Sequence, residues 1–233
     1  MAVGRVRTGI EGLDEMLQGG LPENHIALVM GSFGTGKTTF GLQFLMEGLR
    51  NGESCIFISL EEDKESVTSN AASFGWDLQQ AIDKKKLGLF KLEPGDAKTT
   101  ITRIKSELPK FIKSFGAKRV VLDSVSLLNM MFSDDNDRRA NLFNLGQLLK
   151  STGATTILTA EVKDDNPRSS RDGLSEYTAD GVLLLQAEEN KESGEVQLTI
   201  RILKMRRTGH SRRVKPYSIT DKGITVHAGA EVF

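Results

Sequence analysis

Residues Gly31-Ser32-Phe33-Gly34-Thr35-Gly36-Lys37-Thr38 carry the spacing G-x-x-x-x-G-K-[ST]. Each residue type has a chemical reason to be there. Glycines at 31, 34 and 36 let the backbone turn tightly and come close to a ligand. Backbone N–H groups converging at a helix N-terminus favour an anion. Lys37 adds a full positive charge for outer phosphates, and the Thr38 hydroxyl suits Mg²⁺. Together with Thr39, the first residue of the helix that follows, these nine form a candidate cradle for phosphate groups.

Phosphate chemistry with Mg²⁺ asks for a second acid to orient the ion. Asp123, closing the apolar run Val120-Val121-Leu122, fits that role. Hydrolysis also asks for a carboxylate that positions or deprotonates water. Glu61 and Glu62 sit after a second apolar run, residues 54–60. On an extended chain two neighbouring carboxylates point in different directions, so one can face water and the other the γ-phosphate. A solvated acidic turn is the equally weighted alternative on position alone.

The elements that position these groups follow from periodicity. Residues 26–30 read as a short buried parallel strand before the glycine-rich loop. Leu42, Leu45 and Leu49 give residues 39–50 a helical spacing. In an open parallel sheet, ligands bind at the carboxyl edge of the strands, where the loop, Glu61–Glu62 and Asp123 all fall. Further strands are expected at 87–92, 120–123 and 155–159, and helices at 76–86 and 139–151. Ile101, Ile104, Leu108, Phe111, Ile112 and Phe115 form a helical stripe that Pro109 should kink or split. Residues 163–173 should be a mobile polar loop. The last third changes character. Strands at 181–186, 196–204, 214–220 and 224–227, with turns at 192–195 and 221–223, suggest antiparallel strands added to the edge of a parallel sheet.

With 233 residues and no Pro/Gly/Ser-rich divider, one α/β domain spanning 1–233 is expected. Basic and acidic residues balance at 31 each, so charge points to neither nucleic acid nor a membrane surface. No run is long and apolar enough to span a bilayer, and residues 1–9 lack the apolar core of a signal peptide. A lone Cys55 excludes an internal disulfide and a cysteine-rich metal site. A soluble cytoplasmic protein is the expectation.

The motifs in this order resemble the KaiC-like branch of the RecA/RadA family of ATPases. The resemblance rests on Thr8-Gly9-Ile10-Glu11-Gly12-Leu13-Asp14 with Gly20-Leu21-Pro22, the glycine-rich loop, and Ser59-Leu60-Glu61-Glu62. It continues through Val121-Leu122-Asp123-Ser124, Glu176-Tyr177-Thr178-Ala179-Asp180-Gly181, Lys204-Met205-Arg206 and Ile219-Thr220-Asp221-Lys222-Gly223. It implies a RecA-type P-loop core, ATP with Mg²⁺ bound between subunits, and a hexameric ring. It also implies catalytic roles for Glu61 and Glu62, a Walker B role for Asp123, and Lys204 and Arg206 reaching a neighbouring subunit's γ-phosphate. Arg207 stands where relatives usually carry Gly. A circadian-clock member of this family carries two such domains in tandem, one of which phosphorylates its own adjacent Ser and Thr; Glu176 and Tyr177 stand where that pair aligns, so the chain resembles the ATPase half and autokinase activity is not expected.

Two further readings stay open. A recombinase-related ATPase would set the polar stretches 129–138 and 163–173 against DNA, with Arg168 and Arg171 meeting phosphates. Asp134, Asp135, Asp137, Asp164 and Asp165 offset those cations. A nucleotide-gated scaffold with little catalysis would signal through a protein partner.

Overall fold

The computed structural model describes residues 4–92, 102, 104–132, 134–189 and 194–232. Its centre is a sheet built from β3 (Ile26–Gly31), β4 (Ser54–Ser59), β5 (Leu87–Lys91), β6 (Ala117–Asp123), β7 (Thr155–Glu161), β8 (Gly181–Glu189), β9 (Val196–Met205), β10 (Lys215–Thr220) and β11 (Gly223–Val226). The order across the sheet is β11-β10-β9-β8-β3-β7-β6-β4-β5. From β5 to β8 neighbouring strands run parallel, and β9, β10 and β11 are added antiparallel. A small pair, β1 (Arg5–Val6) and β2 (Leu21–Pro22), stands apart.

Helices cover both faces, which is why the parallel strands read as continuous apolar runs. Side chains alternate between two cores, as the period of two requires. Ala27 and Val29 of β3 enter one core, while Ile26, Leu28 and Met30 enter the other. On the first face lie α1 (Leu13–Met16), α2 (Lys37–Arg50), α3 (Lys64–Ser73) and α4 (Leu78–Asp83); on the second lie α5 (Leu108–Phe115), α6 (Val125–Met130), α7 (Asp135–Lys150) and α8 (Ser175–Thr178).

The helix that follows the glycine-rich loop is held at two places. At its C-terminal end, a side chain on Gly48 would put its Cβ 2.5 Å from Arg119 Nε, so only glycine lets α2 sit this close. Arg119 is 1% exposed. It donates to Glu53 Oε2 at 2.6 Å, to the Arg7 carbonyl at 2.7 Å and to the Phe44 carbonyl at 2.9 Å. Its guanidinium also lies 4.7 Å from the centre of the Phe44 ring. Nearer the loop, Gln43 donates to the Gly9 carbonyl and to the Ile224 carbonyl, and accepts from Ile224 N. That side chain fastens α2 to the lead-in segment and to β11 at once.

Several boundaries differ from the sequence reading, each for a local reason. The helix expected at 139–151 begins at Asp135. Asp134 caps it by accepting from the N–H groups of Asn136 and Asp137, and the acidic residues at 135 and 137 suit a helix start. The stretch 129–138 is therefore largely the end of α6 and the start of α7, not an open loop. The helix expected at 76–86 shrinks to Leu78–Asp83, because Asp77 caps it and Trp76 is buried in the core. Pro109 falls in the first turn of α5, where its missing N–H costs nothing. Residues 104–106 are helical before it, and Glu107 breaks the two apart. Residues 163–173 fold back on themselves. Ser170 bridges to Val162 and is fully buried, and its hydroxyl donates to Glu176. Ile101 of the helical stripe and residues 192–193 of the expected turn lie outside the described residues.

Candidate active site

The glycine-rich loop leaves the carboxyl end of β3, between β7 and β8, and enters α2 at Lys37. Gly36 is the N-cap, with φ at 82°, a left-handed value that favours glycine. Its position is also tight, since an added Cβ would lie 2.6 Å from Ile219 Cδ1. Thr35 is fully buried, and its hydroxyl donates to the Ser32 carbonyl at 2.8 Å. Its own carbonyl accepts from the Tyr217 hydroxyl at 2.6 Å. Strand β10 thus forms the back wall of the loop. Phe33, at the tip, is 92% exposed.

Lys37 Nζ donates to the Ser32 carbonyl at 2.8 Å, arching back over the loop. Burial lowers its pKa, partly offset by the negative charges of Asp123, Glu161 and Glu61. The Thr38 hydroxyl donates to Asp123 Oδ2 at 2.7 Å. Thr159 donates to the other oxygen of Asp123, so the carboxylate is fixed from both sides. Asp123 itself is nearly buried at the end of β6.

Glu61 and Glu62 follow β4, whose Ser59 pairs with Asp123 in register. The Ser59 hydroxyl accepts from the N–H of Glu61 at 3.2 Å and of Glu62 at 2.8 Å, a turn that points the pair toward the cleft. The Ser124 hydroxyl donates to Glu61 Oε1 at 2.6 Å. Among the described residues Glu62 makes no such contact. Burial pushes its carboxyl pKa up, as do the charges of Asp123, Glu61 and Asp63.

Lys37, Thr38, Glu61, Glu62 and Asp123 line one cleft of about 390 Å³, a size suited to a small-molecule ligand. Glu161 lines it too. This fourth carboxylate ends β7 beside Gly31, and Arg171 Nη1 lies 2.8 Å from its Oε2. Sequence reasoning stopped that strand at Thr159 and missed it. Tyr217, Ile219, Ser124 and Thr159 were also missed as parts of the site. Only an apolar strand running two residues further, into an acid, marked Glu161 in advance.

Lys204 and Arg206 are not in this cleft. Lys204 pairs with Val182, and Val182 with Leu28, three positions before Gly31. At about 3.3 Å per residue that is about 10 Å back along the sheet. Because β9 is antiparallel, Arg206 lies further back still. The Lys204 ammonium donates to the carbonyls of Glu176 at 2.9 Å and Ala179 at 2.7 Å. Its pKa is lowered by burial first and by the nearby charge of Arg206. The two cations therefore sit toward the opposite edge of the sheet from the cleft.

A mostly parallel sheet with a glycine-rich loop after its central strand and a carboxylate fixed on the loop's threonine is a RecA-type α/β fold. Comparison with known proteins narrows this. The family model described as "ATPase: KaiC" matches residues 6–231. A UPF0273 protein of Pyrococcus horikoshii is 37% identical over 96% of this chain and 94% of its own length. The circadian clock oscillator protein KaiC of Prochlorococcus marinus is 37% identical over 98% of this chain, which spans 46% of that longer protein. The crystal structure of a KaiC-like protein from Pyrococcus horikoshii superposes with a TM-score of 0.85 at 33% identity, covering 97% of this chain and all of that one. The chain belongs to the KaiC ATPase family. Among the described residues no helix is long and apolar enough to cross a membrane.

Proposed function

We propose that this chain hydrolyses ATP with Mg²⁺ at the interfaces of a ring-like hexamer of itself, and that turnover serves a regulatory or signalling role. One observation carries the reading. Lys37, Thr38, Asp123, Glu61 and Glu62 share a cleft, while Lys204 and Arg206 lie at the far edge of the same sheet. A cation that acts in phosphoryl transfer must touch the transferring group. The topology leaves a second copy as the route by which these two reach one.

The geometry supports a role for each residue. Lys37 and the loop N–H groups hold the outer phosphates. Thr38 and Asp123 would hold Mg²⁺, and the pair fits that ion, which takes one or two protein oxygens alongside phosphate oxygens. When bound, Mg²⁺ neutralises charge on the phosphate oxygens. Glu61, held by Ser124, orients the attacking water. Glu62, with its raised pKa, is placed to accept the proton. Of the two cations the DNA reading would use, Arg171 is engaged by Glu161, which weighs against that reading.

Native mass spectrometry with and without ATP–Mg²⁺, then with single-stranded DNA, tests this. The expected result is a six-copy species in ATP–Mg²⁺ that takes up no DNA. Full turnover by a strictly monomeric protein overturns the interface reading. A DNA-coated filament favours the recombinase-related reading, and assembly without turnover favours the scaffold.

A further inference from the structure

We propose that Asp180 is the positioning residue that aims Arg206 at a neighbouring copy's nucleotide. The proposal rests on the reading that Arg206 acts in trans.

Asp180 is 4% exposed, just before β8 at the edge of the sheet away from the phosphate loop. Its carboxylate gathers three groups. Oδ1 accepts from Lys150 Nζ at 2.7 Å and lies 3.6 Å from Arg206 Nη1. Oδ2 accepts from the N–H of Ile26, the first residue of β3, at 3.1 Å. Its backbone repeats the pattern, since Asp180 N donates to the Ile26 carbonyl at 2.8 Å and Arg206 N donates to the Asp180 carbonyl at 2.9 Å. Main chain and side chain therefore fix Arg206 against the start of the central strand.

Lys204 and Arg206 divide accordingly. The Lys204 ammonium is taken up by two carbonyls of its own chain. The Arg206 side chain is half exposed, and only one edge of its guanidinium meets Asp180. A guanidinium has five donors in a rigid fork, so one edge can be held while another is presented to phosphate oxygens. Arg207, next in the chain, has φ at 63°, which turns the backbone sharply away after Arg206. Burial would push the Asp180 carboxyl pKa up. The hydrogen bonds from Lys150 and Ile26 and the charges of Lys150 and His25 outweigh it and hold the pKa below the ordinary range. The group stays charged, which is what an electrostatic guide for Arg206 needs.

Asp180→Asn is the informative change. An amide oxygen can still accept from Ile26 N, but its NH₂ turns donors toward Lys150 and Arg206. Assembled Asp180→Asn protein is expected to bind a non-hydrolysable ATP analogue as the native protein does, with turnover lowered by up to about 10²-fold, as a misplacement near 1 Å can cause. Its own phosphate loop is intact, so mixing it with Lys37→Ala subunits, whose Arg206 is correctly aimed, should return activity once subunit exchange is confirmed with labelled protein. A parallel mixture of Arg206→Ala with Lys37→Ala separates the two ideas. If that control recovers and the Asp180→Asn mixture does not, the defect lies within the altered subunit and the positioning role is wrong. Unchanged turnover in Asp180→Asn alone overturns it as well. If the control fails to recover, the trans reading itself falls. Should circular dichroism show Asp180→Asn unfolded, Asp180→Glu is put through the same mixtures. It keeps the charge but shifts it by one methylene, and the same pattern of loss and recovery is expected.

Discussion

The Tyr217 hydroxyl donates to the Thr35 carbonyl at 2.6 Å, joining residues 182 positions apart. It ties the last third of the chain to the phosphate loop. Burial pushes the phenol pKa well above its ordinary value, so the hydroxyl remains a donor at any working pH. Tyr217→Phe leaves a buried carbonyl without its partner, which costs about 1–3 kcal/mol. The expected outcome is a lower urea midpoint together with weaker ATP binding. A loss of stability with unchanged ATP affinity would show that the loop keeps its shape without this bond.

Lys37→Ala should remove most nucleotide affinity, because the outer phosphates lose the lysine cation that reaches over the loop. Calorimetric titration with ATP reads this directly. Binding as tight as native would defeat the phosphate-loop assignment.

Glu61 and Glu62 should matter for turnover and little for binding. Replacing both with Gln removes the base and should lower the rate by about 10²–10⁴. The pair should also separate by pH. Glu62 has a raised pKa and must be deprotonated before it can accept a proton. Turnover should therefore fall as pH drops through that raised value, and Glu62→Gln should abolish this acid limb along with most of the rate. Ser124→Ala should leave the limb in place and lower the plateau, since it only frees Glu61. A pH–rate profile of Glu62→Gln that keeps the native acid limb would assign the base elsewhere.

Arg119 supports the site from a distance. Removing one partner of a buried ion pair typically costs about 3–5 kcal/mol, and Glu53 is partly exposed, so Arg119→Met should fall near the low end. The denaturation midpoint should drop while KM for ATP holds, because Arg119 does not line the cleft.

What could be read in advance divides by how far the information travels. The glycine-rich loop announces itself because it is a short run whose residue types and immediate neighbours suffice, whereas Asp123 and the Glu61–Glu62 pair were candidates marked by their places after apolar runs, the pair weighed equally against a solvated turn. The antiparallel addition of β9, β10 and β11 was legible from turns and alternation. Tyr217, Ile219 and Glu161 were not. Nothing near Tyr217 in sequence says that its hydroxyl will meet Thr35, since that depends on the register of β10 against β9 and of β9 against β8. Glu161 was hidden because an acid normally closes a strand in solvent, whereas here β7 delivers it beside Gly31. The start of α7 was readable and misread. Asp134 followed by acidic residues at 135 and 137 is a helix-start signal that looked like loop polarity.

The wall that Ile219 and Tyr217 form behind the phosphate loop sets an order of events during synthesis. Domains fold as units while the chain emerges from its N-terminal end. The residues of the glycine-rich loop leave the ribosome early, and those that hold it in shape leave about 180 residues later. A nascent chain that stops before β10 has the motif and not the cradle. ATP should then bind the nascent chain only once β10 and β11 have emerged, so nucleotide capture on stalled ribosomes would report completion of the sheet.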